Sequence, residues 1–168
     1  MKNDNSITED YFIDTNINIG HTTNDKNNKQ LLTLKYSDTT YTIVLNGQIY
    51  NKFEIKKELQ DLGYGFNTSL NTEILLKAFI HFGTDVLKRL NGVFSFGIWN
   101  DKNKELFLVR DHFGIKPLYY TVIDNTLIFG TEIKGILANP NIEAIVDKQG
   151  ICELFGIRTS TYSRNNCI

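Results

Sequence analysis

Cysteine is scarce in this chain, and its scarcity excludes two kinds of fold. Only two of the 168 residues are cysteine, Cys152 and Cys167, and both lie near the C-terminus. Two late cysteines do not make the disulfide framework of a small secreted domain, and their spacing matches no zinc-binding pattern. The sequence therefore predicts neither a disulfide-stabilised fold nor a metal site.

The sequence also lacks long apolar runs and any excess of charge of one sign. No run of about 18 apolar residues occurs, and the polar start MKNDNSITED does not resemble a signal peptide. With 18 basic and 19 acidic residues the net charge is −1, which provides no electrostatic attraction for nucleic acid or for an anionic membrane. We therefore predict a cytoplasmic protein with no nucleic-acid partner and no membrane partner.

The chain is long and apolar enough for one domain with a core, since 41% of its residues are hydrophobic. Residues 1–29 are rich in Asn, Asp and Thr, and disorder and weak strands are both open there. The clear patterns run through residues 30–157. The polar residues 158–168 have no periodicity and are interpreted as the tail of a truncated chain.

The first half of this core predicts two strands and two helices. LLTLKY and TYTIVLN alternate as strands do. Asn51 is predicted to cap the first helix, with Glu54 as its capping-box partner, and Gly63 ends that helix. The second predicted helix runs from Thr72 to Phe82.

The second half predicts mainly strands. VFSFGIWN and ELFLVRD form one predicted hairpin, LYYTVID and LIFGTE another, and EIKGILAN a short helix. Asp147 is predicted to cap a last helix. Hairpins with helices set apart from them indicate an α+β fold with antiparallel sheets.

Common catalytic motifs are missing, but six segments together resemble one family. No GxGxxG, GxxxxGK[ST] or GxSxG motif occurs. The six segments are NGQIYN (46–51), LNTE (70–73), RLNGVFSFGIW (89–99), LFLVRDHFGIKPLYY (106–120), FGTEIKGILANP (129–140) and ICELFGI (151–157). In this order they are similar to the glutaminase domain of glutamine-hydrolysing asparagine synthetases, a class II glutamine amidotransferase.

This resemblance implies a fold and a reaction. The fold is the αββα sandwich of N-terminal-nucleophile hydrolases, with two antiparallel sheets and outer helices. In the family an N-terminal cysteine attacks glutamine and releases ammonia for a synthetase domain. An asparagine and a glycine form the oxyanion hole, and they correspond to Asn46 and Gly47. As an isolated dipeptide, Asn-Gly is more typical of a turn.

The departures from the family pattern predict an inactive domain. The family begins Met-Cys-Gly-Ile, whereas this chain begins with Met1 and Lys2, and its first strand and helix are expected to be missing or altered. No arginine precedes Arg89, so the arginine that binds the glutamine carboxylate has no counterpart. Gln48 and Asn71 stand where the family has two carboxylates that bind the glutamine ammonium group.

Three interpretations follow for this chain. The first is a truncated, diverged glutaminase-type domain that binds L-glutamine weakly or not at all and does not hydrolyse it. The second is a non-catalytic docking or scaffold module for a separate synthetase-domain protein. The third is a decayed gene product without a selected function. No cofactor is expected in this chain, because ATP and magnesium belong to the family's synthetase domain, which we expect to be absent.

Overall fold

A four-stranded antiparallel sheet lies at the centre of the structure, which is a computed structural model describing residues 8–23 and 29–146. The strands in chain order are β1 (Thr8–Ile13), β2 (Asn18–Thr23), β3 (Leu31–Tyr36), β4 (Thr39–Ile49), β5 (Gly92–Asn100), β6 (Glu105–Arg110), β7 (Tyr119–Ile123) and β8 (Thr126–Gly130). Strands β3 to β6 form the central sheet in sequence order. β1–β2 and β7–β8 are separate antiparallel hairpins. The two hairpins predicted from the sequence, β5–β6 and β7–β8, are therefore present.

The helices lie between and after these strands. They are α1 (Lys52–Asp61), α2 (Asn71–Phe82), a 3-10 helix (Gly83–Lys88) and α3 (Ile133–Leu137). α2 begins one residue before its predicted start and ends where the pattern predicted. The predicted helix after Asp147 lies outside the described residues.

One face of the central sheet carries the main core. Ile43 and Leu45 of β4 lie opposite Ile98 and Phe96 of β5, and all four are buried. α1 and α2 pack on this face through buried apolar side chains, which are Ile55, Leu59, Ile74, Leu75, Leu76 and Phe79. Full burial of one such side chain contributes roughly 1.5–3 kcal/mol, so this layer supplies most of the hydrophobic stabilisation.

The opposite face of the sheet carries a smaller cluster. Its buried members are Ile19 of β2, Leu31 of β3 and Trp99 of β5, and Phe129 of β8 packs against them. Both hairpins therefore contribute to the covering of this face, and α3 packs on β7 and β8. The layers follow the order α1 and α2, central sheet, hairpins, α3. This is the αββα order that the resemblance implied.

The N-terminal segment contains regular structure among its described residues. Strands β1 and β2 join through a turn at Asp14–Ile17, where the Asp14 N–H donates to the Ile17 carbonyl at 2.9 Å. Residues 8–23 therefore form an antiparallel hairpin. The ends of the chain, residues 1–7 and 147–168, are outside the described range.

The predicted capping box at the start of α1 is wrong. Asn51 is the N-cap residue, but its side chain makes no capping hydrogen bond. Instead, Nδ2 donates to the Arg89 carbonyl at 2.8 Å, and Oδ1 accepts from the Asn91 N–H at 2.9 Å. Asn51 therefore fixes the start of α1 against the segment that leads into β5, a contact between residues far apart in sequence.

Candidate active site

A large cavity lies on the hairpin-covered face of the central sheet. It has a volume of about 990 Å³ and is lined by residues of β2 on one side and of β8 on the other. Its floor is the central sheet, where Val44 and Asn46 of β4 and Ser95, Gly97 and Trp99 of β5 line it. Sheet alternation explains this set, because residues opposite one another on paired strands share a face.

Asn46 and Gly47 lie inside β4 and do not form a turn. Asn46 pairs with Ser95 and Gly47 with Phe94 across the β4–β5 ladder. Gly47 has a φ of 125°, and a Cβ there would lie 2.1 Å from the Val93 carbonyl oxygen. Only glycine is compatible with this position. The dipeptide therefore does not form the turn that is typical of it in isolation, and Asn46 reaches the cavity from within β4.

Three polar atoms around the cavity have no hydrogen-bond partner among the described residues. They are Ser95 Oγ, Trp99 Nε1 and His21 Nε2. Ser95 is only 2% exposed and Trp99 only 5%. Burial lowers the pKa of His21, although the nearby Asp10 charge opposes the shift. A buried polar atom without a partner is unfavourable, and these three give the cavity a polar lining.

Ser95, His21 and Trp99 were not singled out as site residues from the sequence. His21 is one of the three histidines of the chain, which share no motif. The two-residue period of β5 does place Ser95 and Trp99 on the face of Asn46. That period gives no information on where β2 lies. The position of His21 beside this cavity therefore depends on the tertiary structure.

Gln48 and Asn71 occupy the positions that differ in charge from the family pattern. Gln48 is exposed and pairs with Val93 on β5. Asn71 begins α2, and its buried Oδ1 has no partner within the described chain. No hydrogen bond between the two side chains is found in these described residues. They are not among the residues that line the large cavity.

The segment at residues 29–30 links the start of α2 to β4. Thr72 Oγ1 donates to the Lys29 carbonyl at 3.0 Å, and the Leu45 N–H donates to the Gln30 carbonyl at 2.8 Å. These two contacts hold the first turn of α2 beside β4. They therefore link α2, which carries Asn71, to β4, which carries Gln48.

Glu73 organises the loop before α2. Its carboxylate accepts hydrogen bonds from the Asn67 N–H at 2.9 Å, the Thr68 N–H at 2.7 Å and Lys77 Nζ at 2.7 Å. Burial raises the pKa of Glu73, but the hydrogen bonds from Lys77, Thr68 and Asn67 outweigh burial and lower the pKa to about 2. The glutamate of the LNTE segment thus has a structural role here.

Asp111 and Arg110 organise the loop after β6. Asp111 accepts backbone hydrogen bonds from Phe113, Ile115 and Lys116 at 2.9–3.1 Å. Arg110 donates to the Lys116 carbonyl at 2.9 Å and to the Gly114 carbonyl at 2.7 Å. The backbone N–H of Lys116 is the largest of the causes that lower the pKa of Asp111. The two side chains order this loop, each by binding its backbone.

Metal binding and membrane insertion receive no support from the described residues. Within residues 8–23 and 29–146, no group of three or more His, Cys, Asp or Glu side chains is placed to hold a metal ion. No helix in these ranges is long and apolar enough to cross a membrane.

Two solved structures have folds similar to that of this chain. A glutamine phosphoribosylpyrophosphate amidotransferase from B. subtilis, complexed with ADP and GMP, matches with a TM-score of 0.61 and 23% identity over 71% of this chain and 28% of that chain. A structure described as the allosteric regulatory enzyme of purine biosynthesis matches with a TM-score of 0.58 and 23% identity, over 65% of this chain and 25% of that chain. The fold is therefore that of the N-terminal-nucleophile glutamine amidotransferases.

Sequence comparison places the chain within this class. Residues 5–167 match the glutamine amidotransferase domain family, and the chain belongs to that family. Asparagine synthetase [glutamine-hydrolyzing] 3 of Bacillus subtilis (strain 168) is 42% identical over 79% of this chain. Asparagine synthetase [glutamine-hydrolyzing] 1 of the same organism is 42% identical over 70% of it. The chain spans only 22% and 18% of the lengths of these two relatives.

Proposed function

We propose that this chain is a glutaminase-type domain, homologous to that of asparagine synthetases, that no longer hydrolyses glutamine. The observation that carries the proposal is the chemistry around the cavity. Asn46 is retained on its floor, yet the described residues contain no cysteine, and Ser95 Oγ and His21 Nε2 each lack a partner. Acyl transfer needs a nucleophile activated by a base within hydrogen-bond reach, and Ser95 and His21 do not form such a pair.

The neutral residues at positions 48 and 71 further weaken the proposed binding of glutamine. A hydrogen bond to a charged group contributes about 1.5–3 kcal/mol, against about 1 kcal/mol for a neutral pair. With Gln48 and Asn71 in place of two carboxylates, the ammonium group of glutamine loses both charged partners. Any ATP-dependent step would belong to a synthetase domain and is not assigned to the described residues.

Ammonia release from glutamine tests the loss of hydrolysis. We expect the purified chain to release no ammonia above a blank without enzyme. The double variant Gln48→Glu/Asn71→Asp should bind glutamine more tightly than the parent chain, and still release none. A control variant, Gln60→Glu/Asn141→Asp, adds the same charge at exposed positions and should bind glutamine as the parent does. Turnover by either chain would overturn the proposal.

A second candidate function, docking to a separate synthetase-domain protein, is favoured by the loop after β6. Phe113 is 90% exposed and Ile115 60% exposed, on a loop that Asp111 and Arg110 hold in place. A rigid loop that presents two large apolar side chains suits a protein interface. The variant Phe113→Ser/Ile115→Ser should keep the stability of the domain and weaken binding to such a partner at least tenfold. Equal binding by parent and variant would eliminate this loop as the docking surface.

A further inference from the structure

Two tyrosine rings stack on each other at the helical face of the central sheet. Tyr36 ends β3, and Tyr64 lies in the connection between α1 and α2. Their ring centroids are 6.2 Å apart, with an angle of 16° between the ring planes, and the two hydroxyl oxygens are 3.5 Å apart. The rings therefore approach each other through their hydroxyl ends, where the ring carbons ortho to each hydroxyl lie.

Backbone contacts hold both tyrosines in place. Tyr36 pairs with Thr39 across the β3–β4 ladder. The Tyr64 N–H donates to the Leu59 carbonyl of α1 at 2.9 Å, and the Tyr64 ring packs against the main core. Because the fold itself keeps the rings in contact, a reaction between them needs only small movements of two side chains.

The third member of this cluster is a histidine. Tyr64 Oη lies 3.2 Å from Nδ1 of His81 on α2. The hydrogen bond with Tyr36 and burial raise the pKa of Tyr64 to about 12, so its phenol keeps its proton at neutral pH. Loss of an electron makes a phenol strongly acidic, and its proton then passes to a nearby base. An imidazole nitrogen without a hydrogen accepts a proton readily, and Nδ1 is within reach of this one.

The exposure of the aromatic side chains favours this pair as the site of oxidation. Tyr36 is 48% exposed and Tyr64 is half-buried, so an oxidant in solution reaches the pair. Trp99 is the only tryptophan of the chain, and it is shielded, being 5% exposed. Among the ring contacts within residues 8–23 and 29–146, the contact of Tyr36 with Tyr64 is the one that joins two phenols.

We propose that Tyr36 and Tyr64 form a site of oxidative cross-linking, at which a one-electron oxidant of the peroxidase type joins the two rings as dityrosine. Each phenol gives up one electron and one proton, and the proton of Tyr64 passes to His81. The two radicals couple through one ortho carbon of each ring. A C–C bond forms, and the hydrogen on each of these carbons moves to the oxygen, which restores both hydroxyls. One molecule of hydrogen peroxide takes up the two electrons and two protons and becomes two molecules of water.

The cross-link connects two parts of the helical face. It joins the end of β3 to the loop between α1 and α2, across 28 positions of the sequence. A covalent link between distant residues reduces the freedom of the unfolded chain, so the cross-linked protein should unfold at a higher urea concentration than the parent. This inference does not depend on whether the chain hydrolyses glutamine.

Treatment of the full chain with a haem peroxidase and hydrogen peroxide tests the proposal. A Cys152→Ser/Cys167→Ser background is used, since thiols are themselves oxidised by peroxide. We expect the fluorescence of dityrosine to appear and the mass of the chain to fall by two hydrogen atoms. After proteolysis, the fragments that contain Tyr36 and Tyr64 should be joined. The rate should not depend on protein concentration, because both rings belong to one chain.

Three variants identify the reacting groups. Tyr36→Phe keeps a stacked ring but removes its hydroxyl, and it should lower the yield of dityrosine within one chain at least tenfold. Tyr50→Phe alters a tyrosine that is 59% exposed and should leave that yield unchanged. His81→Gln should slow the reaction at least threefold and join the same two fragments. Equal yields from the two tyrosine variants, cross-linking mainly between chains, or an undiminished rate in His81→Gln would overturn the proposal.

Discussion

The two faces of the central sheet are covered in different ways. On the helical face, α1 and α2 bury a continuous set of side chains, and Ile43, Leu45, Leu76 and Ile98 are completely buried. On the other face, two hairpins leave a cavity between them, and exposed apolar side chains are common along their strands. Two-stranded hairpins are marginally stable alone. The helical face therefore maintains the fold, whereas the hairpin face carries the candidate site.

Truncating one side chain on each face of the sheet should give the largest difference in stability between the two faces. Leu76→Ala on α2 should lower the free energy of unfolding by about 2–5 kcal/mol, because it leaves a cavity in a fully packed layer. Val122→Ala on β7 truncates a side chain that is 64% exposed. This variant should change the free energy of unfolding by only about 0.5 kcal/mol. Urea denaturation of both variants measures the contrast. Similar losses would show that the hairpin layer is packed as firmly as the helical one.

Gly47→Ala should give the next largest effect. Gly47 has positive φ and a Cβ site 2.1 Å from the Val93 carbonyl oxygen, so alanine adds a backbone clash to backbone strain of about 1–3 kcal/mol. Gly63 also has positive φ, but nothing lies within 4 Å of its Cβ site. Gly63→Ala therefore measures the backbone strain alone. In thermal denaturation it should lower the melting temperature less than Gly47→Ala does. If both variants lose the same stability, the close approach of β4 to β5 is less tight than the structure indicates.

The acid sensitivity of the helical face should depend on Glu73. Hydrogen bonds lower its pKa from 4.5 to about 2, so the folded protein prefers the ionised form. The stability that ionised Glu73 contributes to the folded state is fully present above about pH 4.5 and is lost as the pH falls toward 2. Glu73→Gln should be less stable at pH 7 and lose less on acidification than the parent chain. Glu54→Gln removes an exposed carboxylate as a control, and urea midpoints at pH 7 and pH 3 give the comparison.

The smallest expected effect concerns Asn51. Asn51→Ala removes two hydrogen bonds to the segment before β5 and should cost about 1 kcal/mol. Serine is a good N-cap residue but is too short to reach both Arg89 and Asn91. We therefore expect Asn51→Ser to lose about as much as alanine in chemical denaturation. Full stability in the serine variant would restore the capping interpretation.

Local patterns predicted much of the helical face and less of the site. The 3.6-residue period in α2 and the two-residue period in β4 and β5 are properties of short segments, so their elements follow from the sequence. The contact of Asn51 with Arg89 and Asn91 joins residues about forty positions apart. Propensity and capping patterns describe neighbours along the chain, and they assigned Asn51 to a local role.

The Asn46-Gly47 pair shows the same limit within a single strand. As a dipeptide it is typical of a hairpin turn, and the neighbouring segments alone indicated another role through their resemblance to a family. Asn46 and Gly47 both lie in β4, where Gly47 packs closely against Val93 of β5. Asn46 then faces the cavity because Ser95 lies opposite it. The register between two strands, which depends on their pairing, decides which side chains meet.

The sequence by itself determined the α+β class and the hairpins β5–β6 and β7–β8, because these depend on composition and short-range periodicity. The tertiary structure alone decided how the two hairpins are set on the central sheet. Their separation creates the cavity and brings His21 of β2 to the same space as Ser95 and Trp99 of β5. No local pattern encodes that separation, since it depends on how side chains from three sheets pack on one another.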